Sequence, residues 1–168
     1  MPIPTIRHAD AGDAPAIVAL IDQHVATGAL LPRSREFVAD RAADFLVATL
    51  GDELVGCVHL SEYSPSLAEV RSLAVDAAHR SEGIDALLLA AAERLAARRE
   101  YATLFAVTND AALFESRGYR PSAVPELYPE EDEVGRFAGV FAKELKSEEP
   151  GTRKQEPGSR NQEPGTRN

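Results

Sequence analysis

The stretch SLAVDAAHRSEGIDALLL, residues 72 to 89, concentrates the residue types best suited to chemistry. An apolar strand pattern ends at Val75, a short loop with Arg80 and Gly83 follows, and an apolar helical pattern begins at Ile84. A strand, a loop and a helix start in that order cradle an anion, because loop N–H groups and the positive end of the helix dipole converge on one point. Gly83 lets the main chain approach closely and Arg80 adds a charged donor, so a pyrophosphate is the expected guest. Many strand-to-helix turns carry a glycine and bind nothing, and the loop alone leaves both readings open. Cys57 lies inside the apolar segment VGCVHL and reads as a core thiol rather than a nucleophile. His8, His24, His59 and His79 lack metal-ligand spacing, and PEEDE at residues 129 to 133 lacks the alternating ligands and central glycine of a calcium loop. No metal is expected.

The elements that must hold this loop show switching periodicities, the mark of a mixed α/β domain. Thr5 to Arg7 predicts a first strand. Asp10 and Asp13 offer N-cap oxygens to AIVALIDQHVA, whose Ile17, Val18, Leu20, Ile21 and Val25 share one helical face before Gly28 ends it. Ser34 caps a second, short helix with Glu36 and Arg41 on its polar side. Phe45 to Leu50 and Glu53 to Leu60 predict strands joined by a hairpin at Gly51-Asp52, and Ala68 to Val75 a third strand. IDALLLAAAERLAARRE predicts the longest helix, and Thr103 to Val107, Ala111 to Ser116 and Phe137 to Ala142 predict strand, helix and strand.

Composition narrows the function classes. A chain of 168 residues with 44% hydrophobic residues suits one domain with one core. A net charge of −9 disfavours nucleic acid as a partner, since phosphate backbones demand clustered cations. A single cysteine excludes an internal disulfide framework and points to a reducing cytoplasm. No apolar run approaches the roughly 18 residues of a membrane span, so a soluble protein without membrane contact is expected. From Lys146 the composition changes, and from Glu149 the units EPGTRKQ, EPGSRNQ and EPGTRN follow one another without an aromatic or aliphatic residue. This predicts a domain over residues 1–145 and a disordered tail over 146–168, with partner docking as the tail's alternative role.

Residues 80 to 85 resemble the pyrophosphate-binding motif of GNAT acetyltransferases, Q/R-x-x-G-x-G/A after a strand ending in Leu-x-Val. Arg80, Ser81, Glu82, Gly83, Ile84 and Asp85 take its six places, and Leu73, Ala74 and Val75 precede them at the family spacing. GALLPRSREF (28–37), DFLVATLGDELVGCVHL (44–60), AEVRSLAV (68–75), LFESRGY (113–119) and GRFAGVFAKEL (135–145) are similar, in order, to segments of the acetyltransferase domain of N-acetylglutamate synthase and its short relatives.

The resemblance implies the GNAT fold, a mixed α/β sheet of about six to seven strands flanked by about four helices. It implies an enzyme that moves an acetyl group from acetyl-CoA to the amine of a small acidic, glutamate-like amino acid, without a metal. Glu69 falls at the family's general-base position, and the N–H groups of Leu73 to Val75 would pair with the cofactor arm and the oxyanion. Asn109 falls where relatives contact the cofactor, although an Asn there also suits a helix cap. Arg33 and Arg136 carry over from the arginines that hold the glutamate carboxylates. Phe114 stands where many relatives place an acid tyrosine. Domains of this family often dimerise, which adds a homodimer to the implied partners. Departures keep two other readings in view. Asp85 replaces the motif's last Gly or Ala, Glu82 adds a carboxylate, Ala138 replaces a serine, and Asn109-Asp110 replaces Thr-Arg-Thr. A binding module with weak or no turnover, or an acetyltransferase for another amine, fits these changes.

Overall fold

The computed structural model describes residues 2–122 and 139–145. Along the chain run β1 (Thr5–His8), α1 (Ala14–Val25), α2 (Arg35–Asp40), β2 (Phe45–Leu50), β3 (Glu53–Ser64), β4 (Leu67–Val75), α3 (Ile84–Arg98), β5 (Thr103–Thr108), α4 (Ala111–Ser116), β6 (Arg120–Pro121) and β7 (Gly139–Glu144). Among the described residues the strands form one mixed sheet in the order β1-β2-β3-β4-β5-β7-β6, as the expected fold requires. β3 runs on past the expected Leu60, because Ser61, Glu62 and Ser64 still pair with β4 in spite of their polarity. Arg136, Ala138, the PEEDE run and the repeat tail lie outside the described residues.

Alternation along the strands builds a core on each face of the sheet. Phe45 and Val47 of β2 join Ile17, Leu20, Ile21 and Val38 of α1 and α2 on one face. Leu46 and Ala48 join Leu88, Leu89, Ala92, Leu95 and Ala96 of α3 on the other. At about 1.5–3 kcal/mol for each large side chain removed from water, these two clusters are the main hold on the fold.

Caps set where the helices begin. The Ser34 hydroxyl accepts from the Phe37 N–H at 3.0 Å, as the sequence predicts. Ahead of α1, Asp13 accepts from the Asp10 N–H at 2.9 Å and from both ends of the Arg7 guanidinium at 2.8 and 3.0 Å. That hydrogen bonding outweighs desolvation and holds the Asp13 carboxyl below its ordinary range. Ahead of α4 it is Asp110 that caps, its Oδ1 accepting from the Leu113 N–H at 3.1 Å, which leaves Asn109 outside that role.

Gly56 fixes how closely α3 lies on the sheet. A Cβ there would meet Leu88 Cδ1 at 2.8 Å and Ile84 Cγ2 at 3.2 Å, so only glycine admits the first turn of α3 at this depth. The far side of α3 is clipped by buried Glu93, whose carboxylate takes Lys143 Nζ at 2.7 Å and Arg117 Nε at 3.1 Å.

Candidate active site

β4 and β5 form a parallel pair, and the pair is short. Leu67, Ala68 and Glu69 pair with Thr103, Leu104 and Phe105, after which β4 continues to Val75 and β5 to Thr108 without further pairing between them. Beyond Glu69 the edge of β4 that faces β5 therefore carries main-chain groups with no strand beside them. A bulge accompanies the divergence. Cys57 pairs with Ala74 and His59 with Arg71, so Val58 alone faces Ser72 and Leu73, and Ser72 takes the left-handed φ of 50°. The bulge re-aims the strand. Ala68 and Val70 belong to the core under α3, whereas Ala74 packs on the α1 side and Leu73 and Val75 turn to the α3 side.

A cleft of about 620 Å³ opens between the parted strands. Its walls are β4 from Glu69 to Val75 except Ala74, β5 from Phe105 to Thr108, loop residues 79 to 81 and 83 with the start of α3, and Leu30, Leu31 and Arg33 from the loop after α1. At about 3.3 Å per residue, Glu69 and Val75 stand roughly 20 Å apart along β4, so the cleft has two separate ends.

At the α3 end, Ser81 and Gly83 both adopt left-handed φ, 67° and 78°. Turns of this kind gather successive N–H groups into an anion-binding concavity. Among the described residues nothing accepts from the N–H groups of Ser81 to Asp85, and no acidic group pairs with Arg80. The Ala86 N–H is different: Asp85 Oδ1 accepts from it at 2.8 Å. One donor of the first helical turn is thus taken by the chain's own carboxylate. Glu82 is not part of the cleft wall, and its Oε2 lies 3.0 Å from His79 Nδ1. The loop is braced from α1. Gln23 accepts from the Ala77 N–H at 3.3 Å and donates to Asp76 at 3.3 Å, while His24 Nε2 donates to the Val75 carbonyl at 2.8 Å.

The opposite end is richer in charged side chains. Glu69 lies with its Oε2 2.8 Å from Arg71 Nε, and both line the cleft with Arg33, Glu62, Tyr63 and Phe105. Behind this wall, His59 stacks on Phe45 with ring centres 4.3 Å apart and meets the edge of Phe37 at 5.8 Å. The Phe37 ring also carries the guanidinium groups of Arg41 at 3.9 Å and Arg33 at 5.3 Å. Burial lowers the His59 pKa to about 4, and the nearby charges of Arg71, Arg33 and Arg41 act in the same direction against that of Asp44. The imidazole is neutral at physiological pH. Cys57 is buried, its thiol donating to the Ser72 carbonyl at 3.3 Å, and burial pushes its pKa up to about 12, so no thiolate is on hand.

Of the residues singled out by sequence, Glu69, Leu73, Val75, Arg80, Ser81, Gly83, Ile84, Asp85, Asn109 and Arg33 line this one cleft. Ala74 and Glu82 do not, and Phe114 does. Arg71, His24 and Tyr63 were not singled out. Arg71 had a readable signal, since it stands two residues from Glu69 on a strand and so shares its face. His24 had none, because its contact with Val75 joins residues far apart in sequence.

Five N–H groups without an acceptor among the described residues, in a turn beside Arg80 and continuous with an open strand edge, fit a diphosphate joined to an extended arm. The Asp85 carboxylate is set against that fit.

Residues 41–121 match the family described as the acetyltransferase (GNAT) domain. An uncharacterized N-acetyltransferase of Chlorobaculum tepidum is 33% identical over 115 residues, which are 68% of this chain and 74% of that protein. An amino-acid acetyltransferase of Neisseria meningitidis is 33% identical over 125 residues, 73% of this chain but 29% of that longer protein. Among solved structures, N-acetylglutamate synthase from Neisseria gonorrhoeae, complexed with coenzyme A and N-acetyl-glutamate, superposes with a TM-score of 0.77 at 28% identity. The match covers 86% of this chain and 36% of that one. A Mycobacterium tuberculosis protein in complex with CoA shares the fold over 83% of this chain and 96% of its own, with a TM-score of 0.72 at 22% identity.

Proposed function

The chain belongs to the GNAT family of N-acetyltransferases, and on that premise we propose that it moves an acetyl group from acetyl-CoA to the amine of a small acidic amino acid of the glutamate type. The observation that carries the donor half is the loop of unclaimed N–H groups from Ser81 to Asp85 at the mouth of the strand-lined cleft. Ser81, Gly83, Ile84, Asp85 and Glu82 contribute main chain to the pyrophosphate, and Arg80 contributes charge. Leu73, Ala74 and Val75 offer the open edge of β4 to the cofactor arm, with Asn109 on the facing wall. When bound, acetyl-CoA supplies an activated acyl group as a thioester.

Glu69 is the general base. Its carboxylate takes the proton of the acceptor's ammonium group, directly or through one water, and so frees the nitrogen lone pair. The Arg71 ion pair holds that carboxylate at the cleft wall, and its side chain is only 14% exposed, where screening by water is reduced. Main-chain N–H groups of the bulged segment of β4 face the position at which negative charge develops on the carbonyl oxygen. The freed nitrogen attacks the acetyl carbon and the C–S bond breaks; Phe114 has no proton to give, so the leaving thiolate takes one from water or another group. Arg33 holds an acceptor carboxylate, with Arg136 assigned the same task from the sequence resemblance. Likeness to amino-acid acetyltransferases supports an amino acid as acceptor, although this chain spans about a third of their length.

A second reading, a GNAT module that binds but turns over weakly, draws on the Asp85 carboxylate that already occupies the Ala86 N–H. Thiol release from acetyl-CoA in the presence of glutamate, aspartate and a set of cationic amines separates the readings. The proposal expects release with the dicarboxylates. Release with cationic amines alone overturns the acceptor, and release with none while acetyl-CoA still binds favours the second reading.

A further inference from the structure

We propose that Arg71 reads the acceptor's α-carboxylate, which makes the acceptor class α-amino acids rather than acidic amines in general; this inference rests on the acetyl-transfer reading of the same cleft. Glu69 and Arg71 stand two apart on β4 and both line the cleft, with Arg71 Nε 2.8 Å from Glu69 Oε2. A guanidinium has five N–H donors in a planar fork. Here the Nε side is engaged by Glu69, and no described residue accepts from the terminal Nη groups. The Arg71 side chain is 32% exposed, so that terminal edge is open to a ligand in the cleft.

The chemistry of the acceptor matches this spacing. In an α-amino acid the amine and the carboxylate hang from the same carbon. An amine placed against Glu69 therefore brings its own α-carboxylate to the neighbouring guanidinium, where it binds in a bidentate, charge-assisted manner. A carboxylate several bonds away has no such constraint and is free to reach Arg33, which enters the cleft from the loop after α1. Behind the wall, neutral His59 adds no further positive charge beside these arginines. It is the cross-strand partner of Arg71, is buried and neutral, and lies within the electrostatic reach of Arg33, Arg41 and Arg71.

The test compares thiol release with glutamate, with its α-amide, and with 4-aminobutyrate, the amine that remains once the α-carboxylate is removed. Wild type, Arg71→Gln and Arg71→Lys are assayed with saturating acetyl-CoA, and folding is checked by thermal melting. The expected result is that wild type prefers glutamate by kcat/KM, and that Arg71→Gln cuts the ratio of glutamate to α-amide by at least about tenfold, chiefly through KM, as loss of a charged hydrogen-bond pair implies. Arg71→Lys keeps part of the ratio and carries the same readout should Arg71→Gln fail to fold. If Arg71→Gln slows all three acceptors alike and leaves the ratio unchanged, Arg71 only positions Glu69 and the inference falls while the acetyl-transfer reading stands. A wild type that acetylates none of the three overturns that reading and the inference with it.

Discussion

The two ends of the cleft are built by different means. The α3 end presents main chain: left-handed turns at Ser81 and Gly83, N–H groups and an Arg80 guanidinium with no partner among the described residues, and a carboxylate on Asp85 that works against an anion. The β3–β4 end presents side chains: Glu69 paired with Arg71, Arg33 stacked over Phe37, and a neutral histidine behind them. A site built from main chain tolerates much change in sequence, because side-chain identity matters little to it. A site built from forks and carboxylates does not, and each change there alters chemistry or acceptor choice. On the proposed reading, the α3 end takes the cofactor and the other end selects the acceptor.

Replacing Glu69 by Gln strikes the reactive end and has the largest expected effect. kcat falls about 10²–10⁴-fold, as for loss of a general base, while acetyl-CoA affinity measured by calorimetry changes far less. An equal loss in both would erase the distinction between the ends. The next effect concerns stability under acid. An unfolded histidine gains a proton below about pH 6.5, whereas folded His59 stays neutral down to about pH 4. Between those values only the unfolded chain binds that proton, so stability falls with pH by up to about 3 kcal/mol and levels off below pH 4. Thermal melts of His59→Phe and wild type across pH 7 to 4 should differ by that slope, and parallel curves contradict it.

Gly56→Ala tests whether the cradle depends on the depth of α3. Overpacking against Leu88 and Ile84 is expected to cost about 1–3 kcal/mol in denaturant titration and to weaken acetyl-CoA binding. Retained affinity at lower stability would detach the cradle from the helix seat. The smallest effect belongs to Asp85→Ala. Removing the carboxylate frees the Ala86 N–H and is expected to tighten acetyl-CoA binding several-fold, in keeping with about 0.3–1 kcal/mol for a charge at a helix end together with the released donor. Unchanged affinity would mean that Asp85 stands clear of the diphosphate.

Much of the frame was legible because its causes are local. The apolar runs of β2 and β3, the Ser34 cap and the long apolar stripe of α3 each depend on neighbours in sequence. Cys57 was read correctly as a core thiol for the same reason, since the segment VGCVHL around it is apolar but for His59. What escaped depends on contacts across the sheet. Nothing about Ser72 in sequence announces a left-handed φ, yet its bulge decides which face Leu73, Ala74 and Val75 present. The loss of pairing beyond Glu69 and Phe105 likewise arises from two strands more than thirty residues apart, as does the hold of His24 on Val75. Asp110 rather than its neighbour Asn109 caps α4, a shift of one position that composition could not resolve. Arg71 needed only the period of a strand to be noticed, once Glu69 had been chosen.

The account turns on main-chain donors between residues 81 and 85 holding a diphosphate, and amide NMR reads those donors one by one. In a titration of the 15N-labelled full chain with coenzyme A, the resonances of Ser81, Glu82, Gly83, Ile84 and Asp85 are expected to move first and furthest, followed by Leu73 to Val75 along β4. Shifts confined to other parts of the chain, with these eight amides unmoved at saturation, would contradict the account.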